Sequence, residues 1–309
     1  MNTLVRYRVE HETRYEHPHA VSTSQHVAWL TPRSLPYQQV LSHTLQISPE
    51  PAGVQSRTDY YGNRVHQFTV LTPYTTLTVT SHSEVVIASE RPPVVDSPSW
   101  EAVRDTLAYG GRSRSEPPEP AVAEFAYPSP SVPVTAELEA FARESFGPGR
   151  SLLDGARELM HRIHDGFVFD PAATTIATPV SDVLRDRRGV CQDFAHLQIA
   201  ALRSLGLPAR YVSGYLLTDP PPGQPRLIGA DASHAWLSVW CPANGWVDLD
   251  PTNGVVPSLR HVTLAWGRDY GDVSPLRGVV LGGHGHRLSV AVSVIPQDAS
   301  VAPDAPVSA

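Results

Sequence analysis

The sequence predicts an α+β protein in which a small antiparallel β domain precedes a set of helices and a second antiparallel sheet. Apolar and polar residues alternate near the N-terminus, whereas helical spacing of apolar residues dominates from about residue 135 to residue 206. The chain has 309 residues, enough for about two domains of roughly 150 residues each. We therefore predict a β domain at 1–90, a linker at 91–134, a helix-and-sheet domain at 135–295 and a flexible tail at 296–309.

Alternation in the first 90 residues predicts the strands of the β domain. Val5, Tyr7 and Val9 lie on one side of a strand, with charged residues between them on the other side. The same period of two returns around Leu77, and Gly62-Asn63 is typical of a turn between strands. The strands are therefore expected to bury one face only.

A proline-rich segment separates the two predicted domains. It contains Arg-Pro-Pro, Ser-Glu-Pro-Pro-Glu-Pro and Tyr-Pro-Ser-Pro-Ser-Val-Pro. Because proline lacks an amide donor and fixes φ, these runs disfavour long helices and central strands. We predict a linker that lies over the surface.

Helix-start signals mark the second domain. Thr135 precedes one helical segment, Ser151 opens a second as in a capping box, and a third short helix is predicted from Ser181 to near Gly189. A fourth helix begins at Cys191 and ends before Gly206. Its apolar residues form one stripe, which predicts one buried face.

Cys191 is the first candidate catalytic residue. The unpaired amides and the dipole of a helix N-terminus stabilise a thiolate, which is the nucleophilic form of cysteine. The alternative interpretation is a small buried hydrophobic residue, as most free cysteines are. The chain has two cysteines, Cys191 and Cys241, too few for a disulfide framework.

Three strands are predicted after this helix, and the last two form a hairpin. They span Ala209 to Leu217, His234 to Cys241 and Trp246 to Asp250. A further alternating strand is predicted from Leu288 to Val294. The helices therefore precede an antiparallel sheet.

The hairpin brings a histidine and a carboxylate together. A three-residue loop would pair Cys241 with Gly245, so that His234 and Asp250 project from one face as diagonal neighbours. A loop one residue longer or shorter would put them on opposite faces unless a bulge restores the phase. A carboxylate orients the imidazole that a catalytic thiol needs. Asp248 projects the same way but lies further from His234, so we predict a solvated strand residue there. Taken singly, His234 could be an ordinary strand-start histidine and Asp250 a turn carboxylate.

Composition excludes several classes of protein. There are 31 acidic residues against 24 arginines and no lysine, giving a net charge of −7 without a basic cluster, so nucleic-acid binding is not expected. No stretch approaches the roughly 18 consecutive apolar residues of a membrane span, so no membrane partner is expected. The opening residues lack an apolar leader core, and the predicted location is the cytoplasm.

Four motifs resemble the bacterial transglutaminase-like superfamily. They are GVCQDFAH, LGLPARYVSGY, HAWLSVW and GWVDLDPTNG, which occur in the order typical of that family. The opening strands, with His11-Glu12-Thr13 and Tyr60-Tyr61-Gly62-Asn63, resemble the N-terminal β domain of bacterial members. Gly267-Arg268-Asp269-Tyr270 resembles their C-terminal portion.

The resemblance implies a papain-like transglutaminase core, with the family's catalytic positions at Cys191, His234 and Asp250. It implies a cysteine-dependent amide hydrolase that acts on a peptide or protein substrate through a thioester on Cys191. Transfer of the acyl group to an amine is the first alternative, because both reactions share the thioester. An inactive binding or scaffold protein is the second.

Other residues carry weaker signals. His161 and His164 lie three apart on a predicted helix, and His284 and His286 lie beside a strand, but no cysteine or acidic cluster completes a zinc set. We therefore predict no metal and no organic cofactor. The segment 218–233 leads directly into His234, so we predict that it borders the active-site cleft.

Overall fold

The computed structural model describes residues 3–89, 96–107, 120–218 and 232–297. The strands are β1 Leu4–Ala28, β2 Gln38–Ser48, β3 Gly53–Thr58, β4 Arg64–Val70, β5 Tyr74–Ala88, β6 Val168–Phe169, β7 Arg188–Gly189, β8 Ala209–Leu216, β9 Ala232–Cys241, β10 Gly245–Leu249, β11 His261–Gly267, β12 Leu276–Gly282 and β13 Arg287–Pro296. The helices are α1 Trp100–Leu107, α2 Pro120–Ala123, α3 Ala136–Arg143, α4 Leu152–Gly166, α5 Val180–Asp186, α6 Cys191–Ser204 and α7 Tyr270–Val273.

The strand β1 organises the larger sheet. Its 25 residues pair with β5 along the first part and with β4 along the last part, which gives the order β2-β5-β1-β4-β3. Val5, Tyr7 and Val9 are buried, whereas Arg6 and Arg8 are exposed. The predicted alternation is therefore confirmed.

The two C-terminal strands belong to the same sheet. The strand around Leu288 was predicted in the second domain. In the structure β13 pairs with residues Tyr7 to Glu16 of β1, and β12 pairs with residues Val21 to Ala28. The larger sheet thus contains strands from both ends of the chain. A period of two predicts a strand but does not name its partner.

The proline-rich segment is more ordered than a surface linker in its described parts. It contains the eight-residue helix α1, as well as α2 and a 3-10 turn at Glu124–Ala126. Trp100, Val103 and Val132 are buried in the main hydrophobic core, and Phe125 is also buried. Their aromatic and aliphatic side chains anchor the segment between its prolines.

The helix starts predicted at Thr135 and Ser151 are confirmed, whereas the short third helix spans Val180–Asp186 and ends before the predicted Gly189. The Thr135 and Ser151 hydroxyls accept hydrogen bonds from the amides of Leu138 and Asp154, at 3.2 and 3.4 Å. The expectation of one buried face on α6 is wrong, because its residues from Asp193 to Arg203 are all buried. This helix packs on β8 and β9 and is covered by α3, α4 and α5.

The smaller sheet has the order β10-β9-β8-β11, and sequence alternation did not predict β11. Two amide side chains of the larger sheet region dock onto β11. Gln38 accepts from the backbone of Thr263 and donates to it, both at 2.8 Å, and Asn63 forms the same pair with Trp266, at 3.0 and 2.8 Å. These hydrogen bonds fix the position of β11 against the region of the larger sheet.

Candidate active site

Cys191 is the first residue of α6, where the sequence predicted it. The Asp193 side chain accepts hydrogen bonds from the Val190 amide at 2.8 Å and from the Thr174 hydroxyl at 2.6 Å, which fixes the start of the helix. A β-carbon at Gly189 would lie 2.8 Å from the Asp193 carboxylate, so the close approach needs glycine. Cys191 itself is half-buried.

The hairpin has the predicted register. Cys241 pairs with Gly245 and Leu237 pairs with Leu249, so Asp250 follows the last pair and faces the start of β9. The His234 Nε2 atom lies 2.7 Å from an Asp250 carboxylate oxygen. The diagonal contact inferred from the loop length is therefore present.

The Asp250 carboxylate is fully buried and surrounded by donors. The amides of Thr252 and Asn253 donate to Oδ1 at 3.0 and 3.2 Å, and the Asn253 side chain donates to Oδ2 at 2.7 Å. Gly254 closes this turn with φ +65° against the ring of His164, which hydrogen-bonds to the Thr252 carbonyl at 2.9 Å. A buried carboxylate is tolerable because each oxygen is satisfied.

His261 is a further residue of the candidate site that the sequence did not predict. Its Nε2 atom lies 3.1 Å from the same Oδ2 atom of Asp250, and its side chain is 4% exposed. The residue begins β11, a strand that the alternation did not reveal. Its distance in sequence from His234 left no spacing signal that could connect the two histidines.

Electrostatics couple His234 to Asp250. Burial alone lowers the pKa of His234, but the Asp250 carboxylate and hydrogen bonds to Asp250 and Cys191 outweigh burial and raise this pKa from 6.5 to about 10. Burial disfavours the charged form of Asp250 as well and so raises its pKa, but His234 and His261 together hold this pKa below its usual value. The geometry thus favours a charged imidazole beside a charged carboxylate.

The orientation of His234 assigns different roles to its two nitrogens. Because Nε2 faces Asp250, Nδ1 is the nitrogen available to exchange a proton with the Cys191 thiol, which hydrogen-bonds to this histidine. The Trp236 ring lies 6.0 Å from the His234 ring and 5.2 Å from the His261 ring, centroid to centroid. Gly214 lies opposite His234 on β8 and leaves space for that indole.

Asp248 has a different environment from the one predicted. It is 8% exposed, so the expectation of a solvated residue is wrong. Its carboxylate accepts hydrogen bonds from Ser238 at 2.5 Å and from Tyr37 at 3.4 Å, and it raises the pKa of the buried Arg210, although burial dominates and lowers that pKa overall. Asp248 thus favours the charged form of the buried Arg210.

One group in the described part of the chain could offer three metal ligands, and it is His234, Asp250 and His261. Ligands of a tetrahedral zinc ion stand about 3.4 Å apart, given metal–ligand distances of about 2.0–2.2 Å. The two histidines lie 2.7 and 3.1 Å from Asp250 Oδ2, which are hydrogen-bond distances. This group therefore fits a proton-exchange site better than a metal site.

Three of the four weaker histidine candidates have structural partners. As described above, His164 supports the turn after Asp250. His286 packs edge-on against Tyr15, with ring centroids 5.1 Å apart, and His284 packs against His19 at 5.6 Å. Most of the segment 218–233, which was predicted to border the active-site cleft, lies outside the described residues.

Comparison with known families agrees with this arrangement. Residues 7–86 match the bacterial transglutaminase-like N-terminal region, and residues 139–251 match the transglutaminase-like superfamily core. The protein Rv2569c of Mycobacterium tuberculosis is 41% identical over 300 residues, which cover 94% of this chain and 93% of the relative. The chain belongs to the transglutaminase-like superfamily.

Other similar proteins extend the comparison. The protein ML0607 of Mycobacterium leprae is 33% identical over 295 residues, covering 94% of this chain and 98% of the relative. A protein-glutamine gamma-glutamyltransferase of Pseudomonas aeruginosa is 37% identical over 99 residues, covering 29% of this chain and 15% of the relative. The crystal structure of a candidate cysteine protease from Cytophaga hutchinsonii superposes with a TM-score of 0.76 at 20% identity, covering 98% of this chain and 95% of that one, so the two share a fold.

The helices of the described residues are too short or too polar to span a membrane. The longest, α4, has 15 residues and carries charged side chains along one face.

Proposed function

We propose that this member of the superfamily is a cysteine-dependent amide-bond hydrolase that acts on a peptide or protein. The proposal rests on the contact of Cys191 with His234 and on the 2.7 Å hydrogen bond between His234 and Asp250. A thiol, a base and an orienting carboxylate in this order are the arrangement used for nucleophilic catalysis by cysteine.

The mechanism follows from the roles of the three side chains. The Cys191 thiolate attacks the amide carbonyl, and His234 donates its Nδ1 proton to the leaving amine. The product is a thioester on Cys191, which water then hydrolyses with His234 as the base. The backbone N–H of Cys191, at the start of α6, is one donor for the developing oxyanion.

Asp250 keeps His234 in the productive orientation throughout this cycle. Its carboxylate binds Nε2–H, so the proton that moves is always the one on Nδ1. His261 and the amides of the 251–254 turn hold the carboxylate in place. A displaced carboxylate would let the imidazole rotate or change tautomer.

Acyl transfer to an amine is the second candidate reaction. One comparison favours it, because the Pseudomonas aeruginosa relative carries the name of a glutamyltransferase. Hydrolysis is favoured here because Cys191 is only half-buried, which gives water a route to the thioester.

The two free cysteines also support a cytoplasmic location.

The discriminating experiment supplies a glutamine-containing peptide together with a fluorescent primary amine and follows free acid and amine conjugate by mass spectrometry. Free acid should dominate, and Cys191→Ala should form neither product. Conjugate as the main product at millimolar amine would replace the hydrolase proposal by the transferase. The chain has no lysine, so self-crosslinking through lysine is not a usable readout.

A further inference from the structure

A groove of about 610 Å³ lies between the larger sheet and the segments that carry Ile176 and Tyr270. Its floor is formed by β1 and β13, and its sides include Tyr270 and the segment Ser274 to Leu276. None of these residues has a role in the mechanism above. We call this feature the apolar groove.

The floor results from the strand register. Cross-strand pairs put residues of β1 and β13 side by side on one face, and three consecutive pairs of that face line the groove. These pairs are His11 with Val292, Thr13 with Val290, and Tyr15 with Leu288. The C-terminal strand thus supplies an aliphatic row beside polar residues of the first strand.

The rim of the groove adjoins the catalytic residues. Ser233 lines the groove and precedes His234 directly in β9. Ile176 also lines it, and the Ile176 carbonyl accepts a hydrogen bond from the side chain of Gln192, the neighbour of Cys191. The groove therefore ends at residues that are chain neighbours or hydrogen-bond partners of the neighbours of His234 and Cys191.

The chemistry of the lining selects against charge. The described lining residues include no arginine, aspartate or glutamate. Both ring nitrogens of His11 are in hydrogen bonds, to Tyr215 at 2.9 Å and to Thr13 at 2.8 Å, and burial lowers its pKa to about 4, so it is neutral near pH 7. Leu288 and Val290 are 46% and 49% exposed and can be covered by an apolar partner.

We propose that the apolar groove receives a large uncharged apolar side chain next to the scissile amide of the substrate. This inference rests on the proposed function for its link to catalysis. The larger sheet would then select substrates as well as support the core. Burial of an aliphatic side chain in such a groove gives a preference of about tenfold or more over a charged one.

The test compares matched peptides that differ at one position beside a vinyl sulfone, with leucine in one and aspartate or arginine in the others. The rate of Cys191 labelling by each peptide is divided by the rate with iodoacetamide, so that differences in the thiol itself cancel. We expect the leucine peptide to label at least about tenfold faster. Val290→Asp should remove most of this preference, whereas Val290→Ile should keep it.

Leu281→Asp is the matched control. It adds the same charge to an apolar residue of the same sheet that is 65% exposed and lies outside the groove, so the leucine preference should remain. Equal labelling by the three peptides, or equal loss of preference in Leu281→Asp and Val290→Asp, would overturn the groove assignment. A folded state for each variant is checked by its thermal unfolding transition.

Binding to Cys191→Ala separates this inference from the proposed function. Fluorescent leucine, aspartate and arginine peptides that carry an ordinary amide are titrated with the protein, and the leucine peptide should bind at least about tenfold more tightly than the other two. If Cys191 proves unreactive while leucine peptides still bind preferentially, the proposed function fails and the groove stands. If the thiol cleaves amides without any preference in binding or rate, the groove fails and the function stands.

Discussion

Replacement of Asp250 by asparagine should convert His234 into the wrong tautomer while leaving the fold in place. The amide is nearly isosteric with the carboxylate, but its NH₂ group donates where the carboxylate accepts. If that NH₂ occupies the Oδ2 position, the ring must accept at Nε2, which moves its proton to Nδ1 and blocks proton uptake from Cys191. The reaction rate should fall by about 10⁴-fold, as for loss of the orienting aspartate in a serine protease triad.

The size of the electrostatic effect follows from the raised pKa of His234. The interval from 6.5 to a pKa of about 10 corresponds to about 5 kcal/mol in favour of the charged imidazole at 1.36 kcal/mol per pKa unit. This agrees with the roughly 3–5 kcal/mol lost when one partner of a buried ion pair is removed. In Asp250→Asn, burial becomes the dominant influence, so the pKa of His234 should fall below 6.5.

Two measurements test this reasoning. Amide-cleavage kinetics give the loss in kcat, and NMR of the labelled imidazole gives the pH at which His234 titrates. Asp248→Asn is the matched control, because it makes the same substitution at a buried aspartate two residues away that binds Ser238. The reasoning is refuted if Asp248→Asn lowers kcat more than Asp250→Asn does, or if His234 still titrates near pH 10 in Asp250→Asn.

Three further predictions concern the same site. Cys191→Ala should abolish turnover with an unchanged unfolding transition, and peptide mapping after brief alkylation should find label on Cys191 and not on the fully buried Cys241. His261→Phe removes a hydrogen-bond donor to Asp250 and should lower kcat by about ten- to hundredfold with little change in KM. His261→Gln should recover part of the rate. An unchanged kcat in the Phe variant would contradict the positioning role. The raised pKa of His234 stabilises the fold fully below pH 6.5, and this stabilisation is lost as the pH rises towards about 10. Chemical denaturation of the wild type should therefore show the free energy of unfolding falling by up to about 1.4 kcal/mol per pH unit in this range. This decline should be absent in His234→Gln.

The local elements of the site could be predicted from the sequence because each depends on near neighbours. The hydrogen bonds of Thr135 and Ser151 reach only three residues ahead, and the start of α6 places Cys191 at an amide-rich helix end. The loop of three residues sets the register that brings His234 to Asp250. These features follow from the geometry of single helices and hairpins.

The features that were missed depend on contacts between distant segments. β11 shows no clear alternation because it is buried on both faces, so His261 carried no signal. Asp248 was expected in solvent because its strand was considered alone, whereas Tyr37, 211 residues earlier, covers it. The uniform burial of α6 likewise results from helices on one side and a sheet on the other.

The sequence by itself determined the helix starts, the hairpin register and the resemblance from which the catalytic positions were predicted, because these are encoded in spacings of a few residues. Only the tertiary structure decided that β13 pairs with β1, that His261 shares the Asp250 carboxylate, and that a groove beside His234 has an aliphatic floor. Strand partners far apart in sequence are selected by the global packing of the core. No local pattern specifies such a choice.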